Sequence, residues 1–269
     1  MPRPAVTTLR PALLTAALLA LAACGGDAVS PSAISDTDVS MDVAAQTGDA
    51  IAADVSALGD AETVAGLAGA GAPGCAIVNG RHRCASVTSS GVTTTRSYAY
   101  YDASGATMAA YDAALTASLD VQTDIVGSAT GTTPNGTFAA KFARSRAETL
   151  SGLAGTETRR TWNGVATSHD TTVVTATNET RTYAGASADT TTNVVVALPR
   201  SSNPYPISGQ RVRSVTATMS ATGRREETRQ VTRRAVVTFN GTATVPLTVN
   251  GVACTLHLDT HRVDGCAKS

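Results

Sequence analysis

The amino-acid sequence predicts an all-β domain: an antiparallel meander forming a strongly curved sheet or barrel-like body, with a two-sheet β-sandwich as the alternative. Three observations lead there. From residue 75 onward the chain is built of Thr, Val, Ala and Arg in short alternating runs, the composition of half-buried strands. Asn-Gly recurs at 79–80, 135–136, 163–164, 240–241 and 250–251, and each pair is a tight-hairpin signal. Strand candidates fall near 75–78, 81–88, 92–101, 115–127, 137–149, 156–162, 165–177, 188–198, 210–221, 224–239, 242–249 and 252–258. Hairpins make sequence neighbours spatial neighbours, and so many twisted strands in one sheet must curl, close or split into two layers.

At the N-terminus, Arg3 and Arg10 accompany an apolar run from Pro11 to Ala23 with no acidic residue. At ~1.5 Å per residue the run covers roughly 20 Å, too short for a ~30 Å hydrocarbon core. It reads as the hydrophobic region of a signal peptide, residues 1–23, that is removed. Leu21-Ala22-Ala23-Cys24-Gly25 follows. This stretch resembles the lipobox of bacterial lipoproteins, a resemblance confined to residues 1–25. It implies that the Cys24 thiol receives a diacylglycerol and becomes the mature N-terminus. Further acylation would make the anchor lasting, because two or more chains hold a membrane firmly. Gly25, where an Asp favours the inner membrane, implies an outer-membrane address in the cell envelope.

The mature chain is divided by charge. Between Arg10 and Arg81 there is no Lys or Arg, while Asp27, Asp36, Asp38, Asp42, Asp49, Asp54, Asp60 and Glu62 are acidic; from residue 81 basic residues outnumber acidic ones. Residues 24–74 thus form an acidic tether, with 25–34 flexible. Within it a helix is expected over 37–58, where Val39, Val43, Ile51, Val55 and Leu58 share a face and Ser35 and Asp38 have capping-box spacing. Gly48 weakens it by about 1 kcal/mol relative to Ala. The helix either docks on the concave face of the β domain, residues 75–269, or 37–58 is a spacer without fixed structure. The Gly- and Ala-rich stretch 65–74 reads as a loop.

Five cysteines are present, Cys24, Cys75, Cys84, Cys254 and Cys266. Assigning Cys24 to lipid leaves an even number in an oxidising compartment. A two-residue hairpin about Asn79-Gly80 sets Cys75 opposite Cys84 on a non-hydrogen-bonded pair, with Cα atoms ~4.5 Å apart and within disulfide range. Cys75–Cys84 and Cys254–Cys266 are therefore the expected bridges, each contributing about 2–3 kcal/mol. Near the C-terminus, hairpins about Asn240-Gly241 and Asn250-Gly251 set Val237 opposite Thr244 and Thr244 opposite His257. Val245, Leu247, Val249, Val252, Cys254, Leu256 and Leu258 then share the apolar face, and Phe138, Ala140 and Phe142 share one in an earlier strand. Turns are also expected near Ser104-Gly105, Gly185 and Thr222-Gly223, and 199–209 carries no strand.

Chemistry-bearing groups are sparse. His257, Asp259 and His261 could reach a divalent metal, yet their strand face is solvated, so no metal is expected. His82 reads as surface, and His169-Asp170 has no G-x-S-x-G serine beside it. No phosphate-binding glycine pattern precedes a helix, so no cofactor is expected, and the chain is expected not to be an enzyme. Arg211, Arg213, Arg224, Arg225, Arg229, Arg233 and Arg234 gather on one hairpin. They read as a solvated face or as a surface for an anionic partner: lipid head groups, acidic polysaccharide or the protein's own acidic 27–62 segment. Nucleic acid is excluded, because no aromatic platform interleaves them. Tyr98 and Tyr100, beside Tyr101, share a face with Arg96, either as packing at the sheet edge or as a ligand-contacting patch. The expected function is that of a non-enzymatic lipoprotein, joined to the membrane by its anchor. Its curved sheet would bind an apolar or anionic ligand, or a lipid, glycan or envelope-protein partner. An adhesion or structural module is the alternative. The architecture loosely resembles that of the lipoprotein-localisation factors, in which a curved antiparallel sheet holds acyl chains.

Overall fold

The computed structural model describes residues 34–67, 75–134, 136–224 and 226–268. The expected signal peptide, Cys24, most of the tether, Asn135 and Arg225 lie outside the described residues. Among the described residues one helix, α1 (Asp36–Val64), precedes fourteen strands. These are β1 (Cys75–Val78), β2 (Arg81–Cys84), β3 (Val87–Ser89), β4 (Val92–Asp102), β5 (Thr107–Met108), β6 (Thr116–Thr133) and β7 (Gly136–Ser151). They continue with β8 (Arg159–Ala176), β9 (Glu179–Ala197), β10 (Ser208–Gly223), β11 (Glu227–Thr238), β12 (Thr244–Val249), β13 (Val252–His257) and β14 (Arg262–Lys268). All pair antiparallel in one sheet, ordered β1-β2-β4-β6 through β14, with β3 and β5 on β4. The sheet is an open, curved meander, not closed into a barrel.

The helix lies inside the curve. It touches β6 and β11 through β14, and β14 in turn reaches β6. Ser35 caps its start, accepting from the Asp38 N–H at 3.0 Å. Its end is fixed by Gly66 at φ +72°, where the N–H groups of Gly66 and Leu67 donate to the Thr63 and Glu62 carbonyls. That double return is a Schellman motif, and it needs a residue tolerant of the left-handed region. The helix runs past residue 58 to Val64, so the expected end at 58 falls six residues short of the turn that closes it. Val39, Val43, Ile51, Val55 and Leu58 are buried as their spacing suggested, but so are Ala44, Ala45, Ala50, Ala52 and Asp54. Gly48 also gains a reason: a Cβ there would sit 2.3 Å from Val263 Cγ2, so the glycine lets β14 close on the helix.

Register follows the turn chemistry in most places. Asn79 and Gly80 both take positive φ, and Cys75↔Cys84 and Ile77↔His82 face each other as the hairpin requires. Asn250 and Gly251 do the same for Val249↔Val252 and Thr244↔His257. Both disulfides form, Cys75–Cys84 and Cys254–Cys266, each with Cα atoms 4.0 Å apart.

Three expectations are corrected, and one strand is added. About Asn240-Gly241 the loop is wider than two residues: the Asn240 side chain accepts from the Thr242 N–H and donates to the Thr244 carbonyl. Val237 therefore faces Leu247 rather than Thr244. The slip is odd, which moves fully buried Val237 from the polar to the apolar face. Asn163-Gly164 makes no hairpin; it is an irregularity inside β8, where the Asn163 side chain accepts from the Asn193 N–H at 2.8 Å. Gly185 is mid-strand, and a Cβ on it would meet the Thr216 carbonyl at 2.2 Å. The turn instead falls at Asn178, φ +60°, merging the short candidates into long β8 and β9. The strand β14, which carries Cys266, was not anticipated.

The interior has two apolar clusters. One joins Ile51, Val55 and Leu58 of α1 to Leu119, Leu150, Trp162, Leu247 and Leu256; the other joins Ile34 and Val39 to Phe138, Val174, Tyr183 and Met219. Between them the inward side chains of β7 through β10 are charged: Arg146, Glu148, Asp189, Arg211 and Arg213 are all buried.

Candidate functional site

The arginines expected to form one outward surface divide instead. Arg211 is 2% and Arg213 5% exposed, both on the inner face of β10. Arg211 binds Asp54 at 2.9 Å and Glu148 at 2.8 Å. Arg213 binds Asp170 at 2.7 Å, Asp189 at 3.1 Å and the Ser168 hydroxyl at 3.0 Å. Arg229 and Arg233 reach Asp36 at 3.4 and 2.8 Å, and Arg233 also donates to Ser40. Arg224 and Arg234 remain exposed. Among the anionic partners envisaged, the chain's own acidic segment is the one engaged by Arg211, Arg229 and Arg233. Strand parity decides this: alternate residues of β10 point inward, where only a paired charge is tolerated.

The same pairing continues along the helix. Asp42 accepts from Arg181 Nε and Nη2 at 2.6 and 2.9 Å and from the Tyr183 hydroxyl at 2.6 Å. Asp54 also meets Arg146. Glu62 accepts from Arg160 at 2.9 Å and from the Trp162 indole at 3.4 Å. Asp49 meets His261 at 3.2 Å, and Asp60 meets Arg96 at 3.7 Å. Helix α1 carries no Lys or Arg, so its sheet-facing carboxylates and the inner arginines are complementary sets. Burial pushes the Asp42 carboxyl above its ordinary range, against the pull of Arg181 and Tyr183. It lowers Arg146 to about 10, aided by Arg211 alongside. A water-sized cavity of about 30 Å³ between α1 and β7–β10 has a mixed lining, with Gln46, Thr47, Arg144 and Asp170 beside the apolar Val43, Phe138 and Val215.

A larger opening lies near the C-terminal end of α1, a cleft of about 720 Å³ lined by Leu67, Ile77, His82, Tyr98, Tyr100 and Tyr111, with Glu157 and Arg160. Tyr98 and Tyr100 are 4% and 3% exposed. His82 is half-buried rather than a surface group: it stacks on Tyr98 with centroids 4.6 Å apart and planes 6° apart. Its Nε2 lies 3.0 Å from the Ala109 carbonyl. Tyr100 packs edge-on to Tyr98 at 5.5 Å, and its hydroxyl donates to the Ala65 carbonyl. Packing and cleft lining are thus two roles of the same tyrosines. Burial raises the Tyr98, Tyr100 and Tyr111 hydroxyls above their ordinary range. Glu157 Oε1 accepts from Arg160 Nε and Nη2 at 3.0 and 2.9 Å, while its Oε2 is buried without a partner. Burial alone would raise this carboxyl; backbone hydrogen bonds and Arg160 win, and it is lowered.

The remaining candidates do not converge. His257 meets Asp264 at 3.3 Å and His261 meets Asp49, so the His257, Asp259 and His261 set is split. Among the described residues no group of three His, Cys, Asp or Glu is placed to hold a metal. His169 is exposed on the convex face while Asp170 is paired inward with Arg213. Sequence reasoning missed Tyr111, Glu157, Arg160, Asp42 and Tyr183 as partners. The one local signal was Glu157 three residues before Arg160, just after a glycine-rich turn. No protein-family model matches the chain, and neither a curated protein nor a solved structure matches it. Among the described residues no helix is long and apolar enough to cross a membrane.

Proposed function

We propose that this chain is a lipid-anchored envelope protein, held through Cys24 and addressed to the outer membrane, that binds a ligand or partner without catalysing a reaction. The observation that carries the reading is the division of the concave face. Most of it is filled by α1 through buried ion pairs, and the aromatic cleft is one of the ligand-sized openings beside that helix, larger than those lined by Asp60 and Val64 or by Val55 and Ser56. The volume falls in the ordinary range for small-molecule sites, about 300–1,000 Å³. An acyl chain lying along the whole concavity has no room while α1 is docked, so the likeness to the localisation factors is left to the curved sheet alone. Perturbed groups often mark catalytic sites; here Asp42, Arg146 and Arg181 spend their charge on tying α1 to the sheet, which supports a binding role over an enzymatic one.

An adhesion or structural module is the second reading. It is favoured by the convex face, where exposed Thr167, Thr171, Thr190 and Thr192 stand with few charges near them. Native mass spectrometry of protein extracted from its own envelope separates the two. A co-purifying small molecule that is lost in Tyr111→Ala supports the binding protein. A bare mass with adhesion unaffected by Tyr111→Ala supports the module. The anchor is tested apart: Cys24→Ser should move the protein to the soluble fraction, and persistent membrane association would refute acylation at that residue.

A further inference from the structure

We infer that the opening lined by Val55 and Ser56 takes a small organic carboxylate on Arg200, a site separate from the aromatic cleft and independent of the reading above. The opening lies between α1, the β9–β10 loop and the turn after β13, and measures about 460 Å³. That volume is ordinary for a small-molecule site. Arg200 sits in the braced loop between β9 and β10. The Asn203 N–H donates to the Arg200 carbonyl at 3.2 Å, and the Ser202 N–H and the Asn203 side chain donate to that of Pro199. The Arg200 guanidinium lies against α1 over Gly59, where a Cβ would stand 3.6 Å from Nη2.

The charge of Arg200 is unanswered within the chain. Its side chain is partly buried, yet it makes no hydrogen bond or ion pair among the described residues. Burial lowers the guanidinium below its ordinary range, and Glu62 offsets this only through space, being bonded itself to Arg160 and Trp162. A cation taken from water without a partner is costly. Nη1 is shut away from solvent, whereas Nε and Nη2 stay accessible where Arg200 lines the opening. That edge presents two parallel N–H groups, the geometry that a carboxylate accepts bidentately. The surroundings narrow the class further. Buried Val55 and Leu258 offer apolar surface for the body of a ligand, and the Ser201 and Tyr205 hydroxyls beside them have no partner among the described residues. Exposed Asp259 shares the wall, so a doubly charged phosphate meets more repulsion than a singly charged carboxylate.

The test titrates the full lipidated chain in detergent with acetate, butyrate, benzoate and inorganic phosphate at millimolar concentrations, with chloride matching the ionic strength. The Arg200 Nε–Hε resonance and the melting temperature are the readouts. At least one carboxylate should shift that resonance and raise the melting temperature as its concentration grows. Arg200→Gln should weaken binding about tenfold or more, since a charged bidentate contact is lost. Asp259→Asn should strengthen it about twofold, while Arg234→Ala on the exposed hairpin should leave it unchanged. Without ligand, Arg200→Gln should melt no lower than the parent chain, because no bond within the protein is lost; a marked fall would make Arg200 a structural group and overturn the site. Arg200-dependent binding of phosphate, with no response to any carboxylate, would overturn the ligand class. Silence towards all four anions, or binding undiminished by Arg200→Gln, would overturn the site itself. Tyr111 lines the aromatic cleft and not this opening, so Tyr111→Ala should spare carboxylate binding and the two sites fail or stand separately.

Discussion

The hairpin β12–β13 and the broad middle of the sheet, β7 through β10, face the same helix with opposite chemistry. On β12 and β13 every inward residue from Val245 to Leu256 is apolar, and Leu247 and Leu256 are fully buried. On β7 and β10 the inward positions include Arg146, Glu148, Arg211 and Arg213, almost as deeply buried. The first region is stabilised by removal of apolar surface from water. The second is held by mutual compensation of charge, where desolvation nearly cancels attraction and the geometry of each pair matters. A buried arginine network does not make the middle of the sheet stronger than the apolar hairpin. It makes the docking of α1 specific, because only a helix with carboxylates at Asp42, Asp54 and Glu62 satisfies the arginines below it.

The contrast can be broken most severely at Asp54, which serves both Arg146 and Arg211. Asp54→Ala takes from buried Arg146 its ion-pair partner and leaves Arg211 with Glu148 alone, and should cost about 3–5 kcal/mol, read as a fall in the denaturant midpoint. Replacing Asp54, Arg146, Arg211 and Glu148 together by apolar residues of similar volume, so that no buried charge is left unpaired, should recover much of that loss; failure to recover would show that the network is more than compensation. In the apolar region Leu247→Ala should cost about 2–5 kcal/mol through lost burial and a cavity, and no second substitution among the charged residues should rescue it.

Cys254→Ser with Cys266→Ser should cost about 2–3 kcal/mol, seen as a lower melting temperature that no longer responds to reductant at that bridge. Alkaline pH probes both regions at once. Burial raises the hydroxyls of Tyr98, Tyr100, Tyr111 and Tyr183 above their ordinary value of 10.0. The folded state then keeps protons that the unfolded chain sheds, so stability present below that pH is lost as pH rises beyond it. Arg144 and Arg146, lowered by burial to about 10, act in the other sense, since there the unfolded chain holds the proton longer. The tyrosines outnumber them, and stability should fall above pH 10, with part of the tyrosinate absorbance appearing only on unfolding. Tyr183→Phe should delay that fall. The smallest effect belongs to the helix cap: Ser35→Ala should cost about 1 kcal/mol, measurable as faster amide exchange in the first turn of α1.

How much of this was legible follows from period and parity. Strands whose two faces differ in polarity, such as β12 and β13, announce their inward side by alternation. In β10 the alternation Arg211, Arg213 is just as regular, but its polar set points inward, so reading polar as outward inverts the face. Turn chemistry was reliable where both residues could take positive φ, at Asn79-Gly80 and Asn250-Gly251. It misled at Asn163-Gly164 and Gly185, because a glycine that permits a turn also permits close passage of a neighbouring backbone. The cleft was half legible: Tyr98 and Tyr100 stood out together, while Glu157 and Arg160 reach them only through folding.

Local chemistry alone determined the antiparallel meander, its two tight Asn-Gly hairpins, both disulfides and the start of the helix, because each depends on a few residues close in sequence. Only the tertiary structure decided that α1 is enclosed, that Asp54 serves arginines from β7 and β10, and that Glu157 looks into an aromatic cleft. Those outcomes depend on which distant side chains share a desolvated space, where an unpaired charge is costly enough to choose its partner from anywhere along the chain.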